Sequence, residues 1–302
     1  MVRMRGWWQD LGDLVLPAEC GGCGMPRTVL CPECRAALNG AVPGRVRPVP
    51  EPLGLPVVHA AARYEDEVRA VLLAHKERGV LALAGPLGTA LAGAVRAGLH
   101  GVLPGRTGVL LVPVPSARRA VRARGHDPAR RIALAAAGEL RGSGAPARVL
   151  AVLRQRRAVA DQSGLNSRQR LDNLAGALSV APGGGRLLAG AGAVVLVDDL
   201  MTTGASLAEA ARAVREAVGC EEAAGMAGPE WAGGVGDVRR VRNAVYSDAR
   251  RESRVQRHTA AEVAGPERGP GAPGMVAASA FGGMICAAVV AATPDSFEIN
   301  WN

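Results

Sequence analysis

A chain of 302 residues is long enough to bury one large core or two modest ones. Hydrophobic residues make up 48% but aromatics only 3%, so the core must be built from Ala, Val and Leu. Residues 65–230 contain no aromatic, which excludes a base-stacking surface there. The net charge of +9 is concentrated in residues 101–180, with 14 Arg against 4 acidic residues, a field suited to phosphates on a metabolite or on nucleic acid.

The N-terminal region, 1–40, contains Cys20-x2-Cys23 and Cys31-x2-Cys34, separated by seven residues. Two CxxC turns can place four thiolates on one tetrahedral ion, with Gly21, Gly22 and Gly24 permitting the tight backbone. The closed set predicts a structural Zn2+ knuckle with no open position for substrate. A redox CxxC and incidental cysteines are the competing readings. Trp7, Trp8, Gln9 and Asp10 interrupt any apolar run ahead of the cysteines, so no signal peptide is expected and the setting reads as reduced and cytoplasmic. Residues 41–56 (AVPGRVRPVPEPLGLP) read as a semi-rigid Pro-rich linker.

From Val57 to about Gly219 the texture alternates between short apolar runs and Ala/Leu/Glu/Arg-rich stretches. Strands are predicted at 57–62, 109–114, 148–153 and 193–197, and helices at 65–78, 81–98, 128–140 and 205–218. Val/Leu runs without polar alternation indicate strands covered on both faces, as in an open, mostly parallel sheet with helices on each side. Lys76, the only lysine beside 35 arginines, falls in the first of these helices. It either fills a place that needs a compact ammonium or is a chance retention. Arg118, Arg119, Arg122 and Arg124 follow Val112-Pro113-Val114-Pro115, and Arg154, Arg156 and Arg157 form a second basic group. These groups read as electrostatic stabilisers of a phosphate ligand, as solvated faces, or as contacts to nucleic-acid phosphates that salt would weaken.

The most informative string is VVLVDDLMTTGAS, residues 194–206. A buried strand delivers Asp198 and Asp199 at its carboxyl end, where ligands bind in open α/β sheets. A Thr/Gly turn then opens a helix whose amides, with the Thr202, Thr203 and Ser206 hydroxyls, can cradle a phosphate, while Gly204 allows close backbone approach. The carboxylates suit the hydroxyls of a polyol such as ribose. The plainer alternative is a strand-to-helix turn with an N-cap.

Residues 221–284 mix Gly, Pro and both charges without an apolar period, and read as a disordered insertion before a final strand opened by Cys286. Gly269–Pro294 lacks charge, but its Ala/Gly content argues against a membrane span, and no membrane insertion is expected. No GxxxxGK[ST], HExxH or GxSxG is present, and the five histidines lack metal-ligand spacing.

Together the Cys quartet, VPVPSARRAVRARGHDPA at 112–129, DQSGLNSRQRLDNLAGAL at 161–178 and the 194–206 string resemble the type I phosphoribosyltransferases, and more narrowly the ComF-like family. The resemblance covers about residues 10–219 and 286–302. It implies a type I phosphoribosyltransferase domain over 57–302, binding 5-phosphoribosyl 1-diphosphate with Mg2+ and acting as a pentosyl transferase on a nucleobase-like or amine acceptor. By that resemblance Asp198 and Asp199 meet the ribose hydroxyls, and Thr202, Thr203, Gly204, Ala205 and Ser206 hold the 5-phosphate. Pro113, Val114 and Pro115 meet the diphosphate, with Lys76, Arg118, Val197, Leu200 and Met201 completing the substrate site. The family name also implies a non-catalytic alternative, a nucleotide-sensing accessory to uptake of single-stranded DNA with a helicase partner. Arg124-Gly125-His126-Asp127 stands where the family has arginine, glycine, an aromatic residue and asparagine.

Overall fold

The computed structural model describes residues 19–100, 108–157, 166–226 and 284–297. They belong almost entirely to one compact unit, 1–223 with 279–302; of the other, 224–278, only the last three residues of one helix are described. The first described element, α1 (Pro32–Asn39), follows the cysteines, and β1 is Gly44–Val46. Next come β2 (Val58–Arg63), α2 (Asp66–Lys76), a short 3-10 turn at Leu81–Leu83 and α3 (Ala84–Leu99). β3 (Val109–Pro113), α4 (Arg118–Arg124), α5 (Pro128–Gly142) and β4 (Ala147–Val149) follow. The chain continues through β5 (Leu153–Gln155), α6 (Ser167–Leu174), β6 (Leu178–Val180), α7 (Gly184–Ala189), β7 (Ala193–Met201), α8 (Ala205–Met226) and β8 (Met284–Ala292).

Six strands form one sheet in the order β1-β2-β8-β7-β3-β4, parallel throughout except for the β1–β2 pair. The Val/Leu runs lack polar alternation because both faces are covered. Val195 and Val197 of β7 face a core shared with α2, α3 and α5, whereas Val194 and Leu196 face a core shared with Leu207, Ala211, Val214 and Val218 of α8. This α/β architecture, with helices flanking a mostly parallel sheet, agrees with the expected class at that level.

Several boundaries differ from expectation. The Pro-rich stretch 41–56 contributes β1, an edge strand on β2. The apolar run 148–153 is not one strand: β4 pairs with β3, and β5 pairs with β6 in a separate two-stranded antiparallel sheet. Helix α8 continues to Met226, six residues into the stretch expected to be an insertion; residues 227–283 lie outside the described residues. The final strand opens at Met284, and the described end of the apolar 269–294 stretch is thus a buried strand between β2 and β7. Among the described residues one helical stretch, Leu81–Leu99, is long and apolar enough to cross a membrane. It is half buried here, with α3 packed on β2, β8 and α5 as a core helix.

The connections define a crevice. β3 and β7 are adjacent and parallel, but the chain leaves β3 toward β4 on one side and leaves β7 toward β8 on the other. The loops beyond their carboxyl ends therefore diverge, which is the switch point where open α/β sheets bind ligands.

Candidate functional site and metal centre

A cavity of about 760 Å³ occupies that crevice. Its floor is Asp198, Asp199, Leu200, Thr202 and Ser206 from the end of β7 and the start of α8. One wall is Val114–Ala117 with Arg119 and Arg124 of α4; the other includes Gln155, Leu174 and Leu178 from around the small sheet. Lys76, at the last position of α2, completes it.

The two carboxylates are in different situations. Asp199 is buried, 5% exposed, and its Oδ2 accepts from Lys76 Nζ at 2.8 Å. The single lysine thus supplies the counter-ion of the acidic pair. Desolvation opposes the Lys76 charge, but Asp199 and then Asp198 hold its pKa above the ordinary value. Asp198 Oδ1 accepts the Asp199 backbone N–H at 2.8 Å. Burial, and next the neighbouring Asp199 charge, push the Asp198 carboxyl well above the usual carboxylate range, and Lys76 only partly offsets them.

The turn after β7 bends so that α8 begins at Ala205. Gly204 has φ +71°, a left-handed conformation that favours glycine. A Cβ there would lie 3.1 Å from Leu55 and 3.3 Å from Pro48, so its packing is with residues of the 41–56 stretch. Of the expected site residues, Lys76, Val114, Pro115, Asp198, Asp199, Leu200, Thr202 and Ser206 come together on the cavity. Val197, Met201 and Pro113 are buried strand residues behind it, Thr203, Gly204 and Ala205 form the turn without lining it, and Arg118 is exposed beside it while Ala117 and Arg119 line it.

The 124–127 stretch has clear partners. Asp127 is the N-cap of α5, accepting from Arg130 N at 3.3 Å, and it also accepts from the backbone N and the hydroxyl of the cavity residue Ser116, both at 3.4 Å. Arg124 makes a two-pronged pair with Glu77, Nε to Oε2 at 3.0 Å and Nη2 to Oε1 at 2.7 Å, next to Lys76. His126 meets the buried His75 with ring centroids 5.6 Å apart. Burial lowers the His75 pKa against the contact with Val80 O. This stretch therefore ties α4 and α5 to the end of α2 that presents Lys76.

Sequence reasoning missed Gln155, Ser116, Leu174, Leu178 and Arg170. Asp127-Pro128 is a readable N-cap signature, and Asn166 with Gln169 a readable capping box. Nothing local announces that Arg170 Nη1 donates to Thr202 Oγ1 at 3.1 Å, 32 positions away.

The four cysteines meet as their spacing suggests. The sulfurs of Cys20, Cys23, Cys31 and Cys34 all lie within 4.8 Å of one another, and Cys23 and Cys31 Sγ are 3.6 Å apart. A tetrahedron with metal–sulfur bonds of about 2.3 Å has edges of about 3.8 Å. Cys31 caps α1, its Sγ accepting from Cys34 N at 3.4 Å, and Cys20 Sγ accepts from Cys31 N at 3.3 Å. Burial raises the Cys20 thiol, but N–H donors from Cys31, Cys23 and Gly22 outweigh it and bring the pKa to about 6. Burial and then neighbouring cysteines push Cys34 upward. Gly22 is required by proximity, since a Cβ there would lie 2.6 Å from Cys34 Sγ. The set could hold one metal ion such as zinc, and no other group of this kind occurs among the described residues.

No protein-family model matches this chain, and a comparison with curated proteins gave no match.

Proposed function

We propose that the crevice binds 5-phosphoribosyl 1-diphosphate and that the chain is a phosphoribosyltransferase-like protein of type I architecture, with Zn2+ held by the four cysteines. The observation that carries this reading is the delivery of Asp198 and Asp199 by one strand end to a cavity whose floor also holds Thr202 of the following turn and Ser206 of the long helix. Anionic groups are favoured at the turn by the α8 amides and by the Thr202 and Ser206 hydroxyls. Polyol hydroxyls suit the carboxylates, whose charge also stabilises the positive character that develops at an anomeric carbon as its leaving group departs. Asp199, paired with Lys76 Nζ at 2.8 Å, is the carboxylate held in place; Asp198 is the one that meets a ligand hydroxyl. Arg119 on the α4 wall faces the diphosphate end, where positive charge stabilises the leaving group. The hard oxygen donors of Asp198 and Asp199 fit Mg2+, which, entering with the diphosphate, would neutralise part of its charge.

A second reading, ligand sensing without turnover in the manner of a competence accessory, is favoured by the cavity walls. Among the described residues they carry no aromatic side chain against which a base could stack. Calorimetry with 5-phosphoribosyl diphosphate and Mg2+ tests the shared part. Wild type should bind, and Asp198→Asn with Asp199→Asn should lose several kcal/mol, since hydrogen bonds to charged groups contribute about 1.5–3 kcal/mol each. Equal affinity in both proteins would reduce the motif to a helix start. Release of diphosphate across a panel of bases and amines then separates transfer from sensing.

A further inference from the structure

Helix α6 lies outside the six-stranded sheet, yet its position is tightly determined. Its start is fixed by a reciprocal capping box, Gln169 N to Asn166 Oδ1 at 2.9 Å and Asn166 N to Gln169 Oε1 at 3.0 Å. Near its end, Arg157 Nη2 donates to the carbonyls of Asn173 and Ala175, both at 3.0 Å. Leu174, the last residue of α6, lines the cavity. Between these anchors Arg170 reaches Thr202 Oγ1, the first hydroxyl of the turn after β7. Its Nε is buried and has no hydrogen-bond partner among the described residues.

An arginine fork offers five donors in one plane, and a buried donor without an acceptor is costly. A tetrahedral phosphate supplies acceptors in the geometry that this fork matches, which a lysine does not reproduce. We propose that Arg170 is a further binding residue for the phosphoribosyl ligand, its guanidinium and the Thr202 hydroxyl together taking the 5-phosphate. This rests on the reading of the crevice given above. The assignment to the 5-phosphate follows from position: Arg170 contacts the turn between the acidic pair and α8, whereas Arg119 and Arg124 belong to the α4 wall that follows β3.

The test is calorimetry with three probes in Mg2+, namely 5-phosphoribosyl diphosphate, ribose 5-phosphate and inorganic diphosphate, against wild type, Arg170→Gln and Arg170→Lys. Arg170→Gln should weaken the first two by about 10- to 100-fold and leave diphosphate unchanged. Arg170→Lys should restore part of the loss, since charge returns without the fork. Unchanged ribose 5-phosphate affinity in Arg170→Gln would overturn the proposal and leave the reading of the crevice standing. So would a loss confined to diphosphate, because it moves Arg170 to the other end of the ligand. A wild type that binds none of the probes overturns both. Should Arg170→Gln fail to fold, Thr202→Val keeps the arginine and removes its partner. It should weaken ribose 5-phosphate by up to about tenfold, and no effect there counts against the proposal.

Discussion

Two places in this molecule gather polar groups into an Ala/Val/Leu interior, and they do so in opposite ways. The cysteine cluster draws its four ligands from fifteen consecutive positions, turns them toward one another, and gives the Cys20 and Cys31 sulfurs neighbouring N–H donors. The cavity at the switch point draws on α2, the loop after β3, the small sheet and the end of β7, and leaves its polar groups only partly matched. Asp198 sits beside another carboxylate, and Arg170, which reaches the cavity residue Thr202, keeps a buried Nε without an acceptor among the described residues. A closed, satisfied cluster suits a structural role, while unmatched polarity around open space suits a ligand that completes it. The two places are nevertheless coupled. Cys20, Cys31 and Cys34 share a core with Val71, Ala74 and Leu83, and Val71 and Ala74 belong to the helix that ends in Lys76.

The largest effect should therefore come from the metal. Wild type should contain about one zinc per chain by elemental analysis, and Cys31→Ser should contain none. Structural zinc contributes on the order of 10 kcal/mol to small metal-dependent folds. Because the cluster is docked on α2 and the Leu81–Leu83 turn, part of that is transmitted to the main core, and the thermal midpoint should fall by about 10 °C or more. Affinity for 5-phosphoribosyl diphosphate should fall with it as Lys76 loses its support. Metal loss that changes neither midpoint nor affinity would break the coupling and make the cluster an appendage.

An intermediate effect is expected from Glu209, on α8 one turn beyond the Thr/Gly turn. This buried carboxylate accepts from Leu178 N at 2.9 Å and twice from Arg212, through Nε and Nη2, at 2.8 Å each, while Arg212 Nη2 also donates to Leu178 O at 2.8 Å. The cluster staples the small sheet, and with it the Leu178 part of the cavity wall, to α8. Glu209→Ala leaves the Leu178 N–H buried and unpaired, and should destabilise by about 2–3 kcal/mol in chemical denaturation. A loss below about 0.5 kcal/mol would show that the wall is held by its apolar contacts alone.

What the sequence revealed follows from how far apart the interacting residues lie. The cysteine quartet and the 194–206 string are local patterns with a local mechanism, and both sit in the folded chain as their spacing implied. The parallel sheet was legible because two covered faces leave a continuous Val/Leu run. The run at 148–153 misled because apolar continuity cannot reveal that a chain changes sheets between Val149 and Leu153. Lys76 could be weighed either way until α2 brought it against Asp199, 123 positions along the chain. Arg170 and Glu209 were illegible for the same reason, as charged residues on helices whose partners are supplied by tertiary packing.

The smallest effect is the sharpest discriminator between the two kinds of carboxylate, because the signs oppose. For Glu209 burial acts upward, but Arg212 and the Leu178 N–H outweigh it and hold the carboxyl below the ordinary range. Its stabilisation is full above the unfolded glutamate value of about 4.3 and is lost as pH falls through the lower folded value. For Asp198 burial and the Asp199 charge raise the folded value. The native state then binds more protons than the unfolded chain, so stability declines as pH rises from the unfolded aspartate value of about 3.9 through the higher folded value. Asp198→Asn removes that charge and keeps an Oδ1 acceptor for the Asp199 N–H. Without ligand it should therefore raise the thermal midpoint at pH 7 by about 2 °C, with the gain shrinking toward pH 4. Glu209→Gln should instead lower the midpoint at pH 7, with the loss holding down to about pH 4 and shrinking only below it. The same Asp198→Asn protein should bind 5-phosphoribosyl diphosphate more weakly than wild type, so that stability and binding move in opposite directions at one side chain. If Asp198→Asn lowers the midpoint at neutral pH, or shifts it equally at every pH, Asp198 is a structural carboxylate like Glu209, and the contrast between satisfied cluster and unsatisfied cavity fails at its central residue.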